Sequence, residues 1–133
     1  MKNLHQNFKI TQNVIIFNSK DEVLIIKHKN GKWLLPGGRI NEKENWKNAL
    51  QRELKEEIGV SEIQINGIAS VNTWYKEEQA YYGITFFGKI KEDEIKPNNE
   101  IIDYSWVPNK KSLEIYDFWH QKIKDNLTNI LPI

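Results

Sequence analysis

Gly38-Arg39-Ile40-Asn41-Glu42-Lys43-Glu44-Asn45-Trp46-Lys47-Asn48-Ala49-Leu50-Gln51-Arg52-Glu53-Leu54-Lys55-Glu56-Glu57-Ile58-Gly59-Val60 is the stretch on which the reading of this chain turns. From about Asn45 to Ile58 the residues are good helix formers, and Gly59 stands where a left-handed helix end is expected. At about 100° per residue, with Trp46 at 0°, Leu50, Leu54 and Ile58 fall at roughly 40°, 80° and 120°. Glu57, Glu53 and Glu56 fall at roughly 20°, 340° and 280° on the same wheel, so the carboxylates line one edge of the apolar stripe. Glu53 and Glu57 are like charges one helical turn apart and Glu56 lies beside both, which costs helix stability unless something offsets the repulsion. Two readings stand. The glutamates form a solvated helix face with Lys47, Arg52 and Lys55 as partners, or they hold a hard divalent cation and leave one carboxylate to take a proton from water.

Outward from this helix the chain reads as strands. Thr11 to Asn18, around Val14-Ile15-Ile16-Phe17, is followed by the turn Asn18-Ser19-Lys20-Asp21 and a second strand from Val23 to Lys29. Asn30-Gly31 signals a hairpin into Trp33-Leu34-Leu35, and Pro36-Gly37-Gly38 breaks regular structure. Beyond the helix, Ile63 to Trp74 and Ala80 to Ile90 read as two long strands joined by Lys76-Glu77-Glu78-Gln79. Lys91 to Glu100 reads as a loop, Ile101 to Val107 as a further strand, and Ser112 to about Asn129 as an amphipathic helix burying Leu113, Ile115, Tyr116, Phe118, Trp119 and Ile123. Strands flanking a central helix with a second helix at the end predict an α/β (α+β) fold, an α/β/α sandwich with a mixed sheet.

The 133 residues, 39% apolar and 28% charged with five each of Trp, Tyr and Phe, suit one soluble globular domain. The longest apolar runs fall far short of the roughly 18 residues that a membrane span requires, and no apolar stretch follows Lys2 as in a secretory signal, so cytoplasmic residence and no membrane partner are expected. Absence of cysteine removes disulfides, thiolate nucleophiles and Cys-based zinc sites. Any metal is therefore held by oxygen or imidazole. A net charge of +1 argues against a dedicated nucleic-acid binder and leaves a small anionic ligand open.

Gly38, five residues, Glu44, seven residues, then Arg52-Glu53-Leu54-Lys55-Glu56-Glu57-Ile58-Gly59-Val60 resembles the signature of the Nudix hydrolases without a mismatch. Trp33-Leu34-Leu35-Pro36-Gly37-Gly38 looks like the family's usual entry to it. The resemblance implies a single Nudix domain over residues 1–133 with its signature at 38–60. It implies water attack on a phosphorus of a nucleoside diphosphate derivative, with Mg²⁺ as cofactor and Mn²⁺ as a substitute. Carried over by position, the Gly38 carbonyl with Glu53, Glu56 and Glu57 would hold the metal, Glu53 is the candidate base, and Glu44 and Arg52 would form a supporting ion pair. One departure is Lys43, where relatives often carry glycine. Family members often supply a further acid before the last strand, for which Glu100 and Asp103 are the candidates.

Lys27, His28 and Arg39 sit by position beside the expected site and either touch phosphate or are plain surface charges; His5 and His120 read as structural or solvent-facing. Trp74, Tyr75, Tyr81 and Tyr82 cluster where a ring could stack on a nucleobase or simply pack across strands. The Leu35-Pro36-Gly37-Gly38-Arg39 entry resembles MutT-type nucleoside triphosphate pyrophosphatases, which release a nucleoside monophosphate and pyrophosphate. Dinucleoside polyphosphate, ADP-ribose or nucleotide-sugar hydrolysis, a catalytically silent nucleotide sensor, and action on the 5′ end of RNA are the alternatives. A homodimer is compatible with the family.

Overall fold

The computed structural model describes residues 4–91, 94–98 and 100–108. In chain order the elements are β1 (Phe8–Ile16), β2 (Glu22–His28), β3 (Trp33–Leu34), β4 (Gly37–Arg39), α1 (Trp46–Ile58), β5 (Gln64–Lys76), β6 (Gln79–Lys89) and β7 (Ile101–Pro108). They form a four-stranded sheet in the order β4-β1-β6-β5 and a three-stranded sheet in the order β3-β2-β7. The first is mixed, because β1 runs parallel to β6 and antiparallel to β4. The fold is therefore α+β, as expected, but with two sheets where one was foreseen. The second helix expected from Ser112 lies outside the described residues, as does His120. Among the described residues no helix is long and apolar enough to cross a membrane.

The unbroken apolar runs of β1 and β2 have a direct cause: both strands are buried on both faces. Val14, Ile16, Leu24 and Ile26 pack under α1 against Leu50, Leu54 and Ile58, whereas Ile15, Val23 and Ile25 face a second cluster with Leu35, Ala69 and Val107. Each fully buried Leu or Ile contributes about 1.5–3 kcal/mol, which fixes α1 on the sheet by its 50, 54 and 58 stripe. Asn45 caps the start of α1 by accepting a hydrogen bond from the Asn48 N–H at 2.8 Å. Gly59 ends it at φ 70°, its N–H bonding the Lys55 carbonyl.

Asn30-Gly31 closes the β2–β3 hairpin, in which Ile26 faces Leu34 and Lys27 faces Trp33. One expectation needs correction. Pro36-Gly37-Gly38 does not simply interrupt structure: Gly37, Gly38 and Arg39 pair with Asn13, Gln12 and Thr11 as an edge strand, and the Val14 N–H donates to the Pro36 carbonyl at 3.0 Å. A run of Pro and Gly hides a strand this short, because its pairing partner lies more than twenty residues away in the chain. β4 is what carries the loop before α1 across the sheet and brings its backbone beside the helix carboxylates.

Candidate active site

α1 presents its three glutamates in the graded way the wheel implies. Glu57 is 8% exposed, while the side chains of Glu53 and Glu56 are 19% and 55% exposed. Glu57 Oε1 accepts the Gly37 N–H at 2.8 Å. Burial, with Glu53 and Glu56 adding repulsion, pushes its carboxyl up to about 8 against the opposing hydrogen bond from Gly37. His28 Nε2 lies 3.5 Å from Glu57 Oε2, within ion-pair distance. Burial lowers the His28 imidazole and raises the Glu57 carboxyl, so it works against charge on both partners of this contact. Glu53 is also raised, by burial first, and Arg52 opposes that rise.

Arg52 is the hub of the exposed side. Its Nε and Nη2 donate to the two oxygens of Glu44 at 2.7 and 2.9 Å, its Nη1 to Glu53 at 2.9 Å and Glu56 at 3.2 Å, and its Nη2 also to the Arg39 carbonyl at 3.0 Å. The fork geometry of a guanidinium allows this, and an ammonium does not. Hydrogen bonds from Arg52 and from the Asn41 N–H hold the Glu44 carboxyl below its usual value, and Glu44 raises Arg52 further above its own. Lys43 within this loop sits at φ 66°. That left-handed conformation costs a residue with a Cβ about 1–2 kcal/mol, a physical reason for glycine to suit the position.

Gly38 makes its own contribution by lacking a side chain: a Cβ there would collide with the Glu53 carboxylate. The Glu53 oxygens thus lie directly against the backbone of β4. Among the described residues no three His, Asp or Glu side chains close into a ready-made cation cage. The donor set nevertheless fits a hard divalent cation, since it is all oxygen, it crowds like charges, and Glu57 is short of a counter-charge for its burial.

Glu57 opens onto a cleft of about 270 Å³ whose walls also include His28, Leu34, Leu35, Arg39 and Trp74. The Arg39 guanidinium lies over the Tyr81 ring at 5.8 Å, and Tyr81 in turn stacks on Trp74, centroids 5.5 Å apart and planes within 10°. Of the other positions singled out in the sequence, Tyr75 alternates with Trp74 along β5, is 66% exposed, and donates its hydroxyl to Gln6, away from the cleft. Lys27 is committed to the Trp33 ring and Glu100 to Lys29 at 3.7 Å, and neither lines the cleft. Asp103 faces Lys27 across β2 and β7 and accepts the Tyr104 N–H. Tyr82 packs edge-on against Phe8. Sequence reasoning missed Thr11, Asn13, Gly83 and Thr85, which line the cleft from the middle strands of the four-stranded sheet. Their only trace is the polar run Thr11-Gln12-Asn13 ahead of the apolar half of β1, and Thr85 set between Ile84 and Phe86 in β6.

A carboxylate-bearing helix beside a cleft between strands is the arrangement against which the comparisons are set. Residues 7–127 match the NUDIX domain, and the chain belongs to the Nudix hydrolase family. Such hydrolases generally use a divalent metal. The chain is similar to an RNA pyrophosphohydrolase of Ruthia magnifica subsp. Calyptogena magnifica, 29% identical over 150 residues that cover 96% of this chain and 84% of that protein. It is 43% identical over 61 residues to an 8-oxo-dGDP phosphatase of Danio rerio, a match covering 43% of this chain and 19% of that much longer protein. Among solved structures the MutT protein from Methanosarcina mazei Go1 superposes with a TM-score of 0.79 at 28% identity, covering 96% of this chain and 98% of that one.

Proposed function

We infer that this protein hydrolyses a diphosphate linkage in a small nucleotide with Mg²⁺, or Mn²⁺ in its place, converting a nucleoside triphosphate to a nucleoside monophosphate and pyrophosphate. The observation that carries the reading is the crowding of Glu53, Glu56 and Glu57 on one helix face, with Glu57 buried and lining a cleft beside Gly38 and Arg39. The Gly38 carbonyl with Glu53, Glu56 and Glu57 would hold the cation. When bound, Mg²⁺ neutralises phosphate charge and makes water easier to deprotonate. Glu53 accepts the proton of the attacking water, whose oxygen bonds to the attacked phosphorus as the bond from that phosphorus to the bridging oxygen of the diphosphate linkage breaks. Arg52, through Glu44 and the Arg39 carbonyl, keeps the glutamates in place, while Arg39 and His28 face the phosphates from the cleft wall. Cytoplasmic residence accompanies this reading.

A second reading, removal of pyrophosphate from the 5′ end of RNA, is favoured by the full-length likeness to the Ruthia magnifica protein. A net charge of +1 favours the mononucleotide.

Release of phosphate or pyrophosphate from nucleoside triphosphates, ADP-ribose, nucleotide sugars, dinucleoside polyphosphates and 5′-triphosphorylated RNA, each with Mg²⁺ or Mn²⁺, tests both. Metal-dependent turnover that falls by roughly 100-fold or more in Glu53→Gln and in Glu57→Gln is the expected result. A folded protein that binds nucleotide and turns over no member of the panel would overturn the reading in favour of a nucleotide-sensing module.

A further inference from the structure

The floor of the cleft is the inner face of the four-stranded sheet, and its strand order gives it a polarity. β4 stands at the carboxylate edge and β5, with Trp74, at the other, three strand spacings or roughly 14 Å away. Asn13 of β1 and Thr85 of β6 are direct partners midway between these edges. The Thr85 Oγ1–H donates to Asn13 Oδ1 at 2.8 Å, and Thr85 is 3% exposed. In this arrangement the amide turns its oxygen to the Thr85 hydroxyl. With Oδ1 taken by a hydroxyl, Asn13 Nδ2 carries its N–H donors toward the cleft, with no protein acceptor for them among the described residues.

The surroundings of this donor are those of a flat ring. Leu34 and Leu35 form an apolar wall, and Trp74 lies close over Gly83, where a Cβ would stand 2.7 and 2.9 Å from two indole carbons. Gly83 thereby lets the indole approach the sheet, and its stacking on Tyr81 holds it there. A neutral amide at the centre of such a surface is poorly suited to phosphate, which the cationic and carboxylate edge serves. It is well suited to the hydrogen-bonding edge of a heterocycle.

We propose that Asn13, oriented by Thr85, reads the nucleobase through its Nδ2 donor and selects bases that present a carbonyl oxygen, guanine and hypoxanthine among the purines, over adenine with its amino group. This rests on the reading of the cleft as a nucleotide site. A donor facing a carbonyl makes a hydrogen bond, and the same donor facing an exocyclic amine meets another donor and leaves two buried polar groups unpaired.

The test is a matched pair, inosine triphosphate against adenosine triphosphate, which differ at the six-position of the purine. The wild-type protein should favour the inosine nucleotide by roughly tenfold or more in kcat/KM. Asn13→Asp keeps the side-chain shape and the acceptor for Thr85 but removes the donor, and it should abolish or invert the preference. Thr85→Val, which frees the amide to turn over, should narrow it. Circular dichroism melts establish that each variant is folded. Equal kcat/KM for the two triphosphates in wild type, or a preference that survives in folded Asn13→Asp, overturns the inference while leaving the hydrolase reading intact. If no nucleotide is hydrolysed, the hydrolase reading is what fails. Calorimetric binding of inosine and adenosine monophosphates then decides the base preference, equal affinities overturning it and a tenfold bias toward the inosine nucleotide that is lost in Asn13→Asp sustaining it.

Discussion

The two edges of the cleft are built on opposite principles. At the β4 edge most of the groups come from one consecutive stretch, 38–60, and apart from Glu57 the carboxylates are already partnered: Arg52 holds Glu44, Glu53, Glu56 and the Arg39 carbonyl. At the β5 edge the groups come from β1, β5 and β6, are neutral, and keep an uncommitted donor on Asn13. A ligand for the first edge must compete with an internal ion network, whereas a ligand for the second meets hydrogen-bonding capacity that the protein leaves unspent. On the reading proposed above, the difference separates chemistry from recognition within one cavity.

The sharpest way to break the first edge is Arg52→Lys. An ammonium cannot span Glu44, Glu53 and Glu56 together, so activity should fall by roughly 10- to 100-fold and the Mg²⁺ activation curve should move to higher concentration. A metal titration of initial rates checks it. An unshifted curve would mean the network is ornamental to the metal site.

Gly83→Ala probes the opposite edge. The added methyl displaces the Trp74 indole, and KM for the nucleotide should rise by roughly 3- to 10-fold with kcat little changed, the signature of lost uniform binding. A matching fall in kcat would show that the aromatic edge also positions the phosphates.

A smaller effect follows from Glu57 in metal-free protein. Its folded carboxyl titrates at about 8 against an ordinary value of 4.5, so between those two values the folded state binds more proton than the unfolded state. Stability is then fullest below about pH 4.5 for this group and declines as pH rises toward 8. At pH 8 Glu57→Gln should be more stable than wild type by about 1 kcal/mol or more, a few degrees in Tm, with the gap shrinking toward pH 5. Thermal melts across that range in chelator measure it. A gap that does not vary with pH would remove Glu57 as the titrating group.

Lys43→Gly should give the smallest change. It relieves the left-handed strain at φ 66° at some cost in unfolded-state entropy, for a net gain of up to about 1 kcal/mol read by denaturant midpoint. A loss of stability would show that the Lys43 side chain supports the loop in a way its backbone does not reveal.

The local elements were legible before any coordinates. Asn45 and Gly59 punctuate α1, Asn30-Gly31 marks its hairpin, and the periodicity of 50, 54 and 58 names the face that α1 buries. β4 was not legible, since two glycines and a proline carry no strand propensity and only pairing with β1 makes them one. Nor was the difference between Trp74 and Tyr75. They are neighbours in sequence, and strand alternation sends one into the cleft and the other to solvent beside Gln6.

The sequence by itself determined the carboxylate helix and the family, because these depend on spacing within one helix and one loop, where geometry follows from 3.6 residues per turn. Only the tertiary structure decided that Glu57 is the buried glutamate, that Arg52 reaches the Arg39 carbonyl, and that Asn13 and Thr85 meet. Those facts depend on which strand lies beside which, and strand neighbours far apart in the chain are set by the packing of the whole core and not by any local run of residues.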